Sequence, residues 1–334
     1  MTDLPSSPPV PSPVPLPAGP SRLPVELSRL PVEPLRLAVV QARAVPGQVA
    51  ENSRRAAAGA LRAARRDARL VVLPELHLCG YDLPGVTAAA VAADESGWVV
   101  DDRLAPVVEV AVDRDVTVLV GAAVRHPDGR LTNSLLVVDA TGVRVGYDKQ
   151  HLWHDERALF TPGRTGGPVP GRAGGPAPGR AGGALVAVDG WQVAPAICYD
   201  MSFPEHARAA ALAGAHAYLC ASAFAAGAEH RAAIYLAARA LENTCYTAFV
   251  NPVGGPPDRP CRGGTALWAP DGRRVAAVPG TGAALLRCDL DPADLVRVRA
   301  FLRMLAELPP EPGPGGRWGM RDGQAGYSAR ALMP

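Results

Sequence analysis

Cys198 is placed where a protein can use a thiol as a nucleophile. It ends the apolar segment WQVAPAIC, and the following YDMSFPE leads into a predicted helix whose Pro204 suits the first helical turn. Such a turn exposes a side chain, and its backbone N–H groups can lower a thiol's pKa and hold a developing oxyanion. Cys198 is therefore the candidate nucleophile among six cysteines, with an inert core thiol as the alternative.

Glu75 is the candidate general base. It directly follows the apolar segment LVVL and Pro74, so its carboxylate is expected near the protein interior. Burial raises the pKa of a carboxyl group toward the range in which it can take a proton from a thiol and later activate water. A surface position, or a structural ion pair with an arginine, is the alternative for this residue on local evidence.

Lys149 is the candidate for stabilising negative charge. It lies in GYDKQHLWHDE, at the end of the predicted strand Val143–Tyr147, and Glu156 follows soon after. A lysine that a carboxylate fixes beside a carbonyl oxygen would stabilise an oxyanion, whereas an exposed lysine is the alternative. His151 and His154 lie in the same segment, but no further ligands accompany them, so no metal site is predicted.

These residues need a framework of alternating strands and helices. From Leu35 the pattern predicts a strand, a helix at Asn52–Asp67 and a second strand at Leu70–Leu73. The mixture predicts one α/β domain with mixed sheets and helices packed outside them. Further helices are predicted at Asp101–Arg114, Pro204–Ala213, Glu229–Asn243 and Asp291–Leu308. Further strands are predicted at Val116–Gly121, Leu131–Val138, Val143–Tyr147, Ala184–Val188, Trp191–Cys198, His216–Ser222, Cys245–Asn251, Gly264–Trp268, Arg274–Val278 and Ala284–Leu290.

Low-complexity segments flank and interrupt this domain. Residues 1–34 contain eleven prolines and the repeated hexapeptide SRLPVE, which predicts a disordered tail, with a polyproline ligand as the functional alternative. Residues 164–183 repeat GGPxPGRA and predict a surface-loop insertion. The expected organisation is a tail at 1–34, a domain at 35–308 that contains the insertion, and a C-terminal tail at 309–334.

The overall composition limits the expected partners and compartment. Lysine plus arginine (34) nearly balance aspartate plus glutamate (32), so the net charge of +2 gives no reason to expect nucleic acid or an anionic membrane surface. The sequence has neither an apolar run long enough to span a bilayer nor the order of a signal peptide. We expect a cytoplasmic protein with free thiols that acts on a small, neutral molecule.

In this order, the three chemical segments resemble the three motifs of the nitrilase superfamily of carbon–nitrogen hydrolases. The pair Pro74-Glu75, with Gly80-Tyr81, resembles the motif of the general base. The segment KQHL from Lys149, followed by Glu156 and FTPG, resembles the lysine motif. The segment ICYD around Cys198, followed by FPE, resembles the nucleophile motif. The resemblance extends from about residue 35 to residue 290.

The resemblance implies both a fold and a reaction. The fold would be a four-layer α-β-β-α sandwich that pairs into a homodimer or a higher homo-oligomer, without a metal or organic cofactor. Cys198 would attack the carbon of a small amide, ammonia would leave, and water activated by Glu75 would hydrolyse the thioester to a carboxylic acid. Lys149 and the backbone N–H of Tyr199 would hold the oxyanion. Glu156 would hold the lysine and counts as a fourth catalytic residue.

The motifs also indicate which residues surround the substrate. Asp200 and Glu205 are expected to fix the turn after Cys198. The residues expected to line the pocket are Tyr81, Trp153, Tyr199, Phe203 and the segment Ala223–Glu229.

Departures from the pattern narrow the substrate class. Ser202 stands where many relatives have an arginine, which is implied to bind the carboxylate of N-carbamoyl amino acids, and a serine cannot form that ion pair. The lysine motif also lacks the His-Ile-Pro form associated with carbamoyl substrates. The sequence looks closer to amidases acting on aliphatic or ω-amino amides. A nitrilase, an N-carbamoyl amidohydrolase and a catalytically silent dimeric scaffold are the alternatives.

Overall fold

The computed structural model of the chain describes residues 30–164 and 185–308. Most of the predicted 1–34 tail, nearly all of the predicted 164–183 insertion and the predicted 309–334 tail lie outside the described residues. The described residues 30–34 contact the domain, because Leu30 packs against the core between the sheets and the Trp191 indole N–H donates a hydrogen bond to Glu33 O (2.8 Å).

The domain contains two large mixed sheets and a short ribbon. The first sheet comprises β1 (Leu35–Gln41), β2 (Leu70–Val72), β3 (Val91–Ala92), β4 (Thr117–Arg125), β5 (Leu131–Asp139), β6 (Gly142–Asp148) and β15 (Ala284–Leu290). The second sheet comprises β7 (Val186–Val188), β8 (Trp191–Ile197), β9 (Ala217–Ala221), β10 (Tyr246–Val250), β13 (Ala266–Trp268) and β14 (Arg274–Ala277). The ribbon pairs β11 (Val253–Gly254) with β12 (Cys261–Arg262). The strand order is β15-β1-β2-β4-β5-β6, with β3 beside β4, in the first sheet and β14-β13-β10-β9-β8-β7 in the second.

Five α-helices cover the outer faces and one end of these sheets. They are α1 (Val49–Ala64), α2 (Ala105–Arg114), α3 (Pro204–Leu212), α4 (Glu229–Asn243) and α5 (Pro292–Phe301). The buried residues of α1 and α2 join the core on one face of the first sheet, and those of α3 and α4 join the core on one face of the second. α5 begins with a side-chain cap, since Asp291 accepts a hydrogen bond from Ala293 N.

The alternation of side chains along β1 explains the layering. Leu37 and Val39 face the core between the two sheets, whereas Ala38 and Val40 face the core beneath the helices. A strand whose two faces are both buried must lie between two layers, which is why LRLAVV is almost continuously apolar. The α-β-β-α sandwich implied by the resemblance is therefore confirmed.

The predicted elements differ from the observed ones both in strands and at helix ends: β4 continues to Arg125, beyond its predicted end at Gly121, and the short strands β3, β11 and β12 were not predicted. The predicted helix Asp101–Arg114 is a short 3-10 turn at Asp102–Leu104 followed by α2. The last predicted helix, Asp291–Leu308, was too long, because Leu302 has an extended backbone (φ −98°, ψ 93°) that ends α5. Within residues 30–164 and 185–308, each helix is too short or too polar to cross a bilayer.

Candidate active site

The candidate catalytic residues meet where strands of both sheets end. Glu75 follows β2 and Lys149 follows β6 in the first sheet, whereas Cys198 follows β8 in the second. Glu156 lies in a 3-10 turn at Asp155–Ala158. A small apolar cluster that includes Leu135, Tyr147 and Ile197 joins the two sheets beside Cys198. Residues far apart in the sequence are thus brought to one point between the sheets.

Lys149 is buried between two carboxylates. Its Nζ donates hydrogen bonds to Glu75 Oε1 (2.7 Å) and to Glu156 Oε2 (2.7 Å) and Oε1 (2.9 Å). All three side chains are fully buried. Burial would lower the pKa of Lys149, but the carboxylates of Glu75 and Glu156 outweigh that effect and raise it. The lysine is therefore a permanent positive charge.

Only one oxygen of Glu75 is engaged by hydrogen bonds. Oε1 accepts from Lys149 and from Asn133 Nδ2 (2.8 Å), whereas Oε2 has no hydrogen-bond partner within the described ranges 30–164 and 185–308. Burial raises the pKa of Glu75 to about 7, although Lys149 opposes the shift. A carboxylate with this pKa and an uncommitted oxygen can accept and return a proton near neutral pH.

Close approach of two backbone segments fixes Glu75 in this place. Gly121 on β4 lies against the backbone of Pro74, Glu75 and Leu76, and a Cβ at position 121 would overlap Leu76 N and Pro74 O. Leu76 itself has φ +48°, a left-handed conformation that costs energy for a branched residue. Leu78 N then donates to Gly121 O (2.9 Å), which ties the turn after Glu75 to β4.

Asn133 links the two carboxylates, and it was missed in the sequence. From near the start of β5 its Nδ2 donates to Glu75 Oε1 (2.8 Å) and Glu156 Oε1 (3.0 Å), and its backbone O accepts from Lys149 N (2.8 Å). The available signal was three successive polar residues, Thr132 to Ser134, in a strand that is otherwise apolar. Such residues are buried only when they have polar partners.

Cys198 occupies a strained turn. Its φ of +48° places it in the left-handed region at the start of a 3-10 turn that runs to Ser202. Burial and the negative charge of Glu75 raise the pKa of the thiol well above its ordinary value, while Lys149 and the N–H of Ala223 act in the opposite direction. A backbone N–H does lower this pKa, as the sequence suggested, but burial and the neighbouring carboxylate outweigh its effect.

Asp200 organises the turn that follows Cys198. Its carboxylate accepts hydrogen bonds from Ile197 N (3.0 Å) and Tyr147 OH (2.7 Å), and from His151 N (2.9 Å). His151 Nδ1 also lies 2.8 Å from Asp200 Oδ1. These bonds tie the nucleophile turn to the lysine segment, whereas Glu205 is exposed at the start of α3.

The two histidines of the lysine segment are committed to packing. His151 bonds to Asp200 and stacks on Phe203, with ring centroids 3.8 Å apart, and His154 packs against Trp153. Over the described residues there is no group of three or more histidine, cysteine or acidic side chains arranged to hold a metal ion.

A cavity of about 140 Å³ opens onto Cys198. Of the residues predicted to line the substrate pocket, Tyr81, Trp153 and Tyr199 do so, together with Ala223, Phe224, Ala225 and Ala228 from the predicted segment. Tyr81 OH also donates to Glu156 Oε1 (2.9 Å), and Glu156 Oε2 accepts from Trp153 N (2.8 Å).

The cavity differs from the sequence prediction in two respects. Phe203 does not line it: the stacking on His151 directs this ring into a separate depression on the other side of Tyr199. Arg231 and Arg259 do line it, and neither was singled out in the sequence. Isolated arginines in a chain with many arginines carry no motif that would have identified them.

Comparisons with known proteins agree with this geometry. The family model described as carbon-nitrogen hydrolase matches residues 36–300. The chain is 34% identical to "Hydrolase in pqqF 5'region" of Pseudomonas protegens, over 73% of this chain and 79% of that protein. It is also 34% identical to an (R)-stereoselective amidase of a Pseudomonas species, over 58% of this chain and 62% of that protein.

Solved structures extend the likeness to the fold. The amidase from Nesterenkonia sp. AN1 superposes with a TM-score of 0.61 and 26% identity, covering 79% of this chain and 92% of that chain. In that structure the acetamide moiety of fluoroacetamide is covalently added at the active-site cysteine, and a further variant was solved in complex with butyramide. The chain therefore belongs to the carbon–nitrogen hydrolase family, in its amidase-like branch, and is a hydrolase of carbon–nitrogen bonds other than peptide bonds.

Proposed function

We propose that the protein hydrolyses the amide of a small aliphatic acid to the carboxylic acid and ammonia, through a thioester on Cys198. The observation that carries this proposal is the state of Glu75: one oxygen is bound to Lys149, the other has no partner in the described residues, and its pKa is about 7. That is the state a shuttling base needs beside a thiol that is neutral at rest.

The first half of the reaction forms the thioester. The proton of the Cys198 thiol passes to Glu75 as Sγ bonds to the amide carbon, and the carbonyl electron pair moves onto oxygen. When the tetrahedral intermediate collapses, the C–N bond breaks and the proton on Glu75 passes to the leaving nitrogen, which departs as ammonia. Because the pKa of the thiol is raised, attack and proton transfer have to be coupled.

The second half returns the enzyme to its starting state. Glu75, again ionised, takes a proton from water as the water oxygen attacks the thioester carbon. The C–S bond then breaks, the proton returns from Glu75 to Sγ, and the carboxylic acid leaves. One molecule of water is consumed for each ammonia released, and no other reactant is needed.

Two donors are available to the oxyanion in both halves. The ammonium of Lys149 is held by Glu75 and Glu156, so it needs no reorganisation when negative charge develops. Tyr199 lies in the first turn of the 3-10 helix, where backbone N–H groups have no acceptor inside the helix. Glu156 and Asn133 position the lysine and the base.

The size and lining of the cavity support a small acyl group. Its volume of about 140 Å³ is well below the roughly 300–1,000 Å³ of sites for drug-sized ligands. Among the two amide classes that the sequence favoured, aliphatic amides fit better than ω-amino amides, because an ammonium would lie in a cavity that two arginines line. Nitriles and N-carbamoyl compounds remain alternatives, since a thiolate attacks both in the same way.

Ammonia release from a panel of matched compounds tests the reaction. The panel pairs short amides that have neutral, anionic or cationic ends with the corresponding nitriles and with N-carbamoyl amino acids. We expect ammonia from amides at a kcat/KM at least tenfold above that for the nitriles and N-carbamoyl compounds. Turnover restricted to either of those other classes would contradict the proposal.

We also propose that the protein is a cytoplasmic homodimer or a higher homo-oligomer of the dimer. Ile234 and Leu241 lie two turns apart on α4, hence on one face, and both are exposed apolar residues. Light scattering coupled to size exclusion would test the assembly, and a monomer at micromolar concentration would contradict it.

A further inference from the structure

Arg231 and Arg259 place positive charge in the wall of a cavity that is otherwise largely apolar and aromatic. They come from different segments, Arg231 from the first turn of α4 and Arg259 from the loop between β11 and β12. Two guanidinium groups around one small volume repel each other unless an anion lies between or beside them. A guanidinium group of this wall that no acidic side chain balances needs an explanation that the amide chemistry alone does not provide.

The two arginines differ in how far they are already neutralised. Arg259 Nη2 lies 2.5 Å from Asp155 Oδ2, in a surface ion pair. Arg231 forms no ion pair with any residue in the described part of the chain. The nearest acid in sequence, Glu229, uses Oε2 to accept a hydrogen bond from Gly227 N (2.7 Å) and does not line the cavity. Arg231 is therefore the charge available to a ligand.

Aromatic residues of the cavity wall orient both guanidinium groups. Arg231 lies over Phe224, 5.7 Å from the ring centroid, and Arg259 lies over Tyr81 at 6.0 Å. Such contacts restrict the side chains without using their N–H donors. The N-terminus of α4, where Ala228 lines the cavity, carries a positive partial charge that the carboxylate of Glu229 in its first turn partly offsets.

We propose that the cavity selects amides whose acyl chain ends in a carboxylate, with Arg231 as the carboxylate-binding residue and Arg259 as the second positive charge. The substrate class is then the monoamide of a short dicarboxylic acid. The amide carbon would lie at Cys198 and the far carboxylate at Arg231, which can donate two parallel hydrogen bonds. This proposal rests on the proposed amide hydrolysis and names its substrate class.

With Arg231 as the carboxylate-binding residue, Ser202 no longer argues against an anionic substrate. A serine at that position cannot bind a carboxylate, and the sequence therefore disfavoured an anionic substrate. Ser202 does line the cavity, but so do the two arginines from other segments. The charge that Ser202 lacks is thus supplied by two later segments, α4 and the β11–β12 loop.

Three amides of nearly equal length test the proposal: succinamate, which is anionic, butyramide, which is neutral, and β-alaninamide, which is cationic. We expect kcat/KM of the wild-type protein for succinamate to exceed that for butyramide about tenfold or more, with β-alaninamide the poorest. The ratio of succinamate to butyramide should also decrease with added sodium chloride, since Arg231 is exposed.

Substitutions assign the selectivity to one residue. Arg231→Gln should lower the succinamate-to-butyramide ratio about tenfold, and Arg231→Lys should retain part of it, because the charge remains but the planar pair of donors is lost. Arg262→Gln is the matched control: it removes the same charge from an exposed position on β12 and should leave the ratio unchanged.

The possible outcomes distinguish a failure of the carboxylate site from a failure of the proposed amide hydrolysis. Equal kcat/KM for succinamate and butyramide in the wild-type protein, or an Arg231→Gln ratio equal to the wild-type ratio, overturns the carboxylate site while amide hydrolysis stands. A protein that hydrolyses N-carbamoyl amino acids but none of the three amides overturns the proposed function and, with it, the monoamide substrate class.

Discussion

The ammonium of Lys149 lies 2.7 Å from Glu75 Oε1, and both side chains are fully buried. With Glu156 on the other side, one positive charge faces two carboxylates in an environment with little solvent. A third charge of the same sign as the carboxylates, a Cys198 thiolate, is therefore unfavourable unless Glu75 is protonated at the same time. In the proposed reaction, one proton moves between Glu75 and the thiol.

This sharing of a proton predicts the acid side of the pH profile. Burial raises the pKa of Glu75 to about 7 in the free enzyme. Below that pH the carboxyl group is protonated and cannot accept the thiol proton, so kcat/KM should decrease as the pH falls through about 7. On the alkaline side, kcat/KM should not decrease near neutral pH through loss of the Lys149 charge, because the pKa of this lysine is raised. A kcat/KM that is constant from pH 5 to pH 8 contradicts this role of Glu75.

Removing the base tests the same role directly. Glu75→Gln preserves the shape of the side chain but cannot take a proton, and we expect ammonia release to fall by about 10²–10⁴-fold with no acid limb remaining near pH 7. Circular dichroism serves as the control for folding. Wild-type turnover in this variant would assign the base to another residue.

The buried charges predict that a substitution at Glu156 restores part of the stability lost by a substitution at Lys149. Lys149→Met leaves Glu156 buried without its counter-ion, whereas Glu75, no longer opposed by the lysine, becomes protonated at pH 7. We expect the unfolding free energy to fall by about 3–5 kcal/mol in urea titrations at that pH. Adding Glu156→Gln removes the uncompensated charge, so the double variant should be more stable than the single variant while remaining inactive. A double variant that is less stable than the single one would falsify this electrostatic explanation.

Asn133 should act through the carboxylates that it touches. Asn133→Ala removes a hydrogen bond that favours the charged form of Glu75, so the acid limb of kcat/KM should move to higher pH and the maximum should fall about tenfold. Ser134→Ala is the matched control, because Ser134 is adjacent on β5 but bonds to Asp148 instead. An acid limb that is unmoved in Asn133→Ala would reduce Asn133 to a packing residue.

If Glu75 takes the proton of the Cys198 thiol, the two residues should act as a pair in thiol labelling. Only Cys198 and Cys288 are partly accessible among the six cysteines, and burial raises the pKa of Cys79, Cys245 and Cys261 to about 12. Iodoacetamide should modify Cys198 first, and Glu75→Gln should slow that modification while leaving the rate at Cys288 unchanged. Peptide mass spectrometry measures both rates in one sample, and parallel slowing at both cysteines would argue against a specific base.

The sequence brought out the candidate residues Glu75, Lys149 and Cys198 because each follows an apolar strand and the three motifs occur in order. It did not identify Asn133 or Arg231, whose partners are remote in the sequence: Asn133 and Glu75 are 58 residues apart. The sequence could not predict the direction of the Cys198 pKa shift either, because that shift depends on burial and on Glu75 rather than on the turn alone.

For the helices too, the sequence predicted what local residues determine and missed what tertiary contacts determine. The predicted limits of α4, Glu229–Asn243, agree with the observed ones, since Ala-rich sequence is followed by Thr244 with φ +45°. Residues 302–308 contain equally good helix formers, LRMLAEL, and yet α5 ends at Phe301. Helix propensity is a weak guide wherever tertiary context decides the end of a helix.

The most direct measurement is ammonia release by Cys198→Ala, with Cys245→Ala as the control for loss of a buried thiol elsewhere. Each variant is supplied with the best amide of the panel at saturating concentration, after circular dichroism has confirmed that it is folded. We predict no ammonia above the uncatalysed rate from Cys198→Ala and near wild-type release from Cys245→Ala. Undiminished turnover in folded Cys198→Ala would contradict the thioester mechanism.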